Sequence, residues 1–257
     1  MENHIHLIKL KKADNLIFGI RAVIEAINSG KNLDKLYIKK GLQGELVQNL
    51  YATLKLHNIH YQHVPIEKIN KITRKNHQGV IGYLSLIDYF DIENLVISIF
   101  ESGKNPFVLI LDQISDVRNF GAICRVAECA GVDGIIISES GSAQINADAI
   151  KTSAGALNYI KICKSKNLIN SVKYLKNSGL KIIAATEKAE KTYYQLNYNT
   201  PIALIFGSEE SGISNTILHF VDELINIPMK GNISSLNVST AVSVIAFEAV
   251  KQREINK

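Results

Sequence analysis

Residues 106–257 admit few folds. Apolar runs recur at Phe107–Leu111, Gly134–Ile137, Tyr159–Cys163, Lys181–Ala185, Ile202–Phe206 and Glu223–Ile227. Most are apolar along their whole length rather than at alternate positions. A strand of that kind must be covered on both faces, the condition of a mostly parallel sheet flanked by helices. Helical periods fill the intervals: Phe120–Ala130 closed by Gly131, Ala147–Leu157, Leu168–Asn177 ended by Gly179, Ser214–Phe220, and a long final helix over Leu236–Arg253.

The upstream part is a smaller α/β module. Ile20, Val23, Ile24 and Ile27 mark one face of a helix over Phe18–Asn28, and Gly30 follows its end. Lys35–Lys40, Ile59–Val64 and Gly79–Leu86 read as strands, Glu45–Leu56 as a helix, and Pro65 opens a short one. The expected division is a first domain over 1–86, a linker over 87–105 that ends in Ser-Gly-Lys-Asn-Pro, and a second domain over 106–257.

Charge follows the same division. The chain has 29 Lys and Arg against 24 Asp and Glu. Residues 1–85 hold 13 of the first kind and 6 of the second, a net +7, so the remainder carries −2. Such asymmetry suits a basic module that docks nucleic acid, or a basic surface that serves solubility. No apolar run approaches the roughly 18 residues of a membrane span. Three cysteines, Cys124, Cys129 and Cys163, make neither a disulfide framework nor a zinc site. A soluble cytoplasmic protein with reduced thiols is expected.

In parallel sheets, ligands bind beyond the carboxyl ends of the strands. Three polar segments stand at such ends: 111–125, 205–213 and 227–239. Asn119 stands where a helix N-cap belongs. Arg125 interrupts an apolar helix, either to reach solvent or to hold a phosphate in a cleft. Gly207 and Gly212 permit a tight turn around Glu209-Glu210. Serines 234, 235 and 239 stand at the start of the last helix, as caps or as part of an anion site. No nucleotide-binding glycine fingerprint, Walker sequence or nucleophile elbow is present. The residues by themselves lead to an α/β ligand-binding domain with a basic partner domain.

Taken together, the segments resemble the motif set of the SpoU class of RNA ribose methyltransferases in the SPOUT superfamily. Asn119-x-Gly121-Ala122-x-x-Arg125-x-Ala127 resembles the first motif, and Phe206-Gly207-Ser208-Glu209-x-x-Gly212 the second. Ile227-Pro228-Met229 with Ser235-Leu236-Asn237-Val238-Ser239 resembles the third. Phe18-Gly19-Ile20-x-Ala22-Val23 and His77-Gln78-Gly79 resemble the substrate-binding domain of the bacterial 23S ribosomal RNA guanosine 2′-O-methyltransferases, which is similar to ribosomal protein L30e.

The resemblance implies a trefoil-knotted methyltransferase domain behind an L30e-like domain. It implies S-adenosylmethionine as cofactor, contacted at Gly207, Ile227, Leu236 and Thr186. It implies Asn119, Arg125, Glu209, Ser235 and Asn237 as catalytic residues, with Asn119 orienting Arg125 and with Ser235 and Asn237 holding the target nucleotide. The implied activity is 2′-O-methylation of a guanosine in the peptidyl-transferase region of 23S ribosomal RNA. The implied assembly is a homodimer, for which Val242, Ile245, Ala246 and Ala249 on the final helix suit either an interface or the chain's own core. Lys11, Lys12, Lys39, Lys40, Arg74 and Lys75 are the candidate phosphate contacts. Transfer RNA or another ribosomal site as substrate, and an RNA-binding assembly factor without catalysis, remain as alternatives.

Overall fold

The structure, a computed structural model, describes residues 15–143 and 145–255. Lys11 and Lys12 lie outside the described residues. The chain divides into two compact units, one ending at Asp88 and the other beginning at Tyr89.

The first unit runs β1 (Leu16–Phe18), α1 (Ile20–Asn28), β2 (Leu33–Lys39), α2 (Glu45–Leu56), β3 (Gln62–Val64), α3 (Ile66–Ile72) and β4 (Val80–Leu84). Its sheet has the order β1-β4-β2-β3, with β4 antiparallel to both neighbours and β3 parallel to β2. On one face, Val23, Ile24 and Ile27 of α1 and Val47, Leu50 and Leu54 of α2 bury Leu36, Ile38 and Val80. The two glycine motifs of this unit meet. The Gln78 side-chain oxygen accepts from the Ile20 amide at 3.1 Å, which satisfies a free donor of the first turn of α1. The Gly19 amide donates to the Val80 carbonyl at 3.0 Å. These residues therefore tie the start of α1 to β4.

The second unit runs β5 (Tyr89–Phe90), α4 (Ile92–Glu101), β6 (Phe107–Asp112), α5 (Val117–Cys129), β7 (Gly134–Ser138), α6 (Ala147–Thr152), β8 (Lys161–Ser165) and α7 (Leu168–Asn177). It continues through β9 (Lys181–Ala185), β10 (Ile202–Gly207), α8 (Asn215–Leu218), β11 (Glu223–Ile225) and α9 (Val238–Ile255). The seven strands are ordered β11-β9-β10-β6-β7-β8-β5, and every pairing is parallel. Alternation along each strand feeds two cores. Val108, Ile110, Ile182 and Ile205 pack with α4, α7 and α8. On the other face, α5 packs with β7, α9 with β10, and the two helices with each other.

Residues 87–105 differ from the expected linker. Strand β5 pairs with β8, and α4 puts Leu95, Val96 and Ile99 into the core. The stretch is acidic and polar because the outer face of α4 is exposed, and that masked its apolar stripe. The final helix also differs, starting at Val238 rather than Leu236. Its Val242, Ile245, Ala246 and Ala249 are fully buried in their own chain, so they form core and no interface.

Arg253, near the end of α9, clamps the opposite end of the sheet. Its Nε donates to the Tyr198 carbonyl at 2.9 Å and its Nη1 to Asn105 at 2.9 Å. Its Nη2 donates to Thr200 at 2.8 Å and Pro106 at 3.2 Å. The guanidinium also lies over the Phe107 ring, 5.0 Å from its centre. Arg253→Ala strips four carbonyls of a charged donor and is expected to destabilise the protein by about 3 kcal/mol in urea unfolding. Arg253→Lys should recover less than half, since an ammonium lacks the planar fork. A loss under about 0.5 kcal/mol, the range of ordinary surface changes, would show that the clamp is dispensable. No helix among the described residues is long and apolar enough to cross a membrane.

Candidate active site

Three side chains from three distant segments meet at the carboxyl ends of β6 and β10. Asn237 Nδ2 donates to Glu209 Oε1 at 2.7 Å and to Asn119 Oδ1 at 2.9 Å. Asn119 Nδ2 reaches Glu209 Oε1 at 3.4 Å, and the Val238 amide donates to the same oxygen at 3.2 Å. Glu209 thus sits at the N-terminus of α9, where the helix dipole favours an anion. Its Oε2 makes no hydrogen bond among the described residues.

Local structure explains each position. Asn119 is not the expected N-cap. Asp116 is, and its carboxylate accepts from the Asn119 amide at 2.7 Å. The Asn119 side chain is thereby released to turn towards Glu209. Asn237 caps α9: its carbonyl accepts from Ala241 at 3.0 Å and its Oδ1 from the Ser239 amide at 2.9 Å. The cap orients the Asn237 amide group, leaving Nδ2 to bridge Asn119 and Glu209.

Gly207 is fixed by close approach. A Cβ there would lie 2.1 Å from the Gly212 carbonyl carbon and 2.4 Å from the Ile213 nitrogen. The 207–212 loop folds back on itself through the Gly212 amide and the Ser208 carbonyl at 2.9 Å. It is held down by Asp112, a buried carboxylate that accepts from the Ser214 amide at 2.7 Å and from the Ser214 hydroxyl. Asp112 went unnoticed in the sequence, where the signal was a carboxylate ending the apolar run Phe107–Leu111. Gly121 serves the same end on α5. A Cβ there would be 2.7 Å from the Ala149 carbonyl oxygen, so only glycine lets α6 lie this close.

Two residues expected in the cluster are not in it. Arg125 is exposed on α5 and makes no hydrogen bond or ion pair among the described residues. Six residues separate it from Asn119, which turns it about 120° away round the helix and places it about 9 Å further along the axis. Asn119 therefore orients Glu209 and Asn237 rather than Arg125. Ser235 lies in the exposed segment before α9, outside the helix start where it was expected, and makes no hydrogen bond among the described residues.

The four residues expected at the cofactor lie around neighbouring strand ends. Strands β11, β9 and β10 are adjacent, and Thr186, Gly207 and Ile227 stand at or just beyond their carboxyl ends. The Thr186 amide donates to the Ile225 carbonyl at 2.9 Å, which ties two of these ends together. Leu236 precedes Asn237 and is 38% exposed. The amides of Ile227 and Leu236 make no hydrogen bond within the chain among the described residues. Open backbone groups at adjoining strand ends fit a ligand held by main-chain contacts.

A cleft of about 590 Å³ opens at Glu209 and reaches from Asn119 to Ser138, Asn167 and Ser208. Asp112, Asp116, Glu209 and Glu210 line it, with no Lys or Arg among its lining residues. A phosphate is therefore unfavourable inside this cleft, and a cation that meets one must stand outside it.

Residues 106–247 match the SpoU rRNA Methylase family. The chain belongs to that family. Residues 16–90 match the family described as RNA 2′-O ribose methyltransferase substrate binding. A putative TrmH family tRNA/rRNA methyltransferase of Staphylococcus saprophyticus is 33% identical over 93% of this chain and 96% of its own length. The SpoU methyltransferase AviRb from Streptomyces viridochromogenes, solved in complex with AdoMet, shares the fold. Its TM-score is 0.59 at 20% identity, over 93% of this chain and 90% of that one. The A. aeolicus TrmH/SpoU tRNA modifying enzyme is 28% identical, with a TM-score of 0.54 over 64% of this chain and 85% of that one. The SpoU family uses S-adenosylmethionine, and this member is an RNA methyltransferase of the TrmH type.

Proposed function

We propose that the protein methylates the 2′-oxygen of a guanosine ribose in 23S ribosomal RNA, in the peptidyl-transferase region, as a step of ribosomal RNA processing in the cytoplasm. The observation that carries the reading is the Asn119–Glu209–Asn237 cluster, which borders the polar cleft and adjoins Leu236 in the chain. The basic balance of residues 1–85 supports ribosomal RNA as the partner of the first domain.

Bound S-adenosylmethionine supplies an electrophilic methyl group on a sulfonium. Thr186, Gly207, Ile227 and Leu236 hold it, mostly through backbone groups. The loops after β10 and β11 that carry Gly207 and Ile227 would form the trefoil knot that the resemblance implies. Glu209 and Asn119, locked together by Asn237, present a fixed acceptor and amide to the incoming nucleotide, and alignment of the reactants supplies much of the rate. Arg125 fixes the phosphate beside the target and stabilises negative charge on the attacking oxygen. It acts as a charge and not as a base, so the hydroxyl proton passes to water as the oxygen takes the methyl group. Ser235 contacts the nucleotide from the segment before α9. The implied homodimer accounts for the position of Arg125, which makes no hydrogen bond or ion pair among the described residues and would serve a site completed at the subunit interface.

The alternative substrate is transfer RNA, which the tRNA-modifying relative favours. The test is transfer of labelled methyl groups to an unmodified 23S fragment and to unmodified transfer RNA in parallel. Label on one guanosine of the ribosomal fragment is expected. Label on transfer RNA alone would overturn the substrate, and label on neither would favour an assembly factor without catalysis.

A further inference from the structure

We propose that the α2–β3 edge of the first unit is a stacking site for an unpaired RNA base, with Tyr61 as its platform. The choice of RNA rests on the reading above. Tyr51 of α2, Tyr61 at the entry to β3 and His63 within it form one aromatic cluster. Ring centres lie 5.6 Å apart for Tyr51 and Tyr61, and 5.3 Å for Tyr61 and His63, which meet edge to face at 88°.

The topology puts these rings at a border. Strand β3 is the last of its sheet. Residues 61 and 63 point to one face. His63 stands opposite Ile38 of β2, whose side chain lies under Leu50 and Leu54 of α2. The rings therefore extend the core outward past α2, and Tyr61 is left 40% exposed.

A cleft of about 430 Å³ opens beside them, lined by Tyr51, Leu54, Lys55, Asn58, Ile59 and Tyr61. Asn58, with φ 55°, turns the chain from α2 towards β3 and closes one end. The lining holds one cation, Lys55, and no carboxylate. Flat aromatic faces with an ammonium group at the rim are what a base and its phosphate require, and this pattern is tolerant of sequence. A duplex would not satisfy it, because its bases are already stacked on one another.

The experiment uses the full chain and a labelled mixed-sequence single strand of about 15 nucleotides, long enough to span one such groove. Its duplex is the control, and affinity is read by fluorescence anisotropy. Tyr61→Ala is expected to weaken single-strand binding ~10-fold and to leave duplex binding unchanged. Tyr61→Phe should stay within about twofold of the parent because it keeps the ring face. Tyr61→Leu, which keeps apolar bulk without the π face, should behave like Ala. Lys55→Ala should reduce the slope of log affinity against log salt by about 0.7.

Unchanged single-strand affinity in Tyr61→Ala would overturn the proposal. So would rescue by Leu, equal losses on strand and duplex, or no binding of the strand by the parent protein. Methyl transfer is measured with the same variants. Tyr61-dependent binding without any transfer would sink the enzymatic reading and keep the stacking site, while transfer with Tyr61-independent binding would do the reverse.

Discussion

Gly207→Ala should abolish measurable cofactor binding. The added Cβ would lie 2.1 Å from the carbonyl carbon of Gly212 and 2.2 Å from its oxygen. Both are backbone atoms, so no rotamer change relieves the contact. The loop 208–213 would have to lift away, and its anchor at Asp112 and Ser214 resists that. Glu209 lies in the displaced stretch, so its bonds to Asn237 and Val238 would break with it. Overpacking against backbone is expected to destabilise the fold by about 2–3 kcal/mol. Affinity for S-adenosylmethionine should fall at least ~100-fold, about 2.7 kcal/mol. Calorimetric titration checks the second figure and urea unfolding the first. Parental affinity in Gly207→Ala would show that this loop is not part of the cofactor site.

Arg125→Ala should do the opposite, removing turnover while leaving the fold and the cofactor affinity intact. The side chain is exposed and unpaired among the described residues, so stability should stay within about 0.5 kcal/mol of the parent. Loss of a charge aimed at a developing oxyanion reduces turnover by ~100- to 1,000-fold. Arg125→Lys should recover a part, because an ammonium supplies the charge without the two-pronged grip on phosphate. Single-turnover methyl transfer at saturating cofactor separates these outcomes. Loss of cofactor binding in Arg125→Ala, or full turnover, would remove Arg125 from the assigned role.

The periodic parts of the sequence were the legible parts. The spans of α2, α7 and β9 agree with the expected ones residue for residue, because each carries an uninterrupted apolar period. Segments with weak periods were not legible. Strand β1 has three half-buried residues, too few to show alternation. Strand β5 has only two residues, one of them exposed, and α4 hides its stripe behind a polar face.

At the site, the motifs located Asn119, Glu209 and Asn237, but their mutual bonds depend on how α5 and α9 cross, which no local pattern encodes. Asp112 as the anchor of the glycine loop follows the same rule, since its partner Ser214 is brought to it only by folding. Asp116 as the cap is local, bonded to the amide three residues on, and competes in the sequence with Asn119 as an equally good cap type. Arg125 shows the limit of motif spacing: six residues on a helix place it away from the group it was expected to join.

Transfer of a methyl group to a ribose 2′-oxygen at the Glu209 site leaves a chemical mark in the product RNA. Its most direct measurement is alkaline hydrolysis of RNA labelled by the protein with methyl-tritiated S-adenosylmethionine. A 2′-O-methyl group blocks cleavage of the adjoining phosphodiester. Label is expected in alkali-stable dinucleotides with the parent protein and none with Glu209→Ala. Label recovered in mononucleotides would mean base methylation and would contradict it.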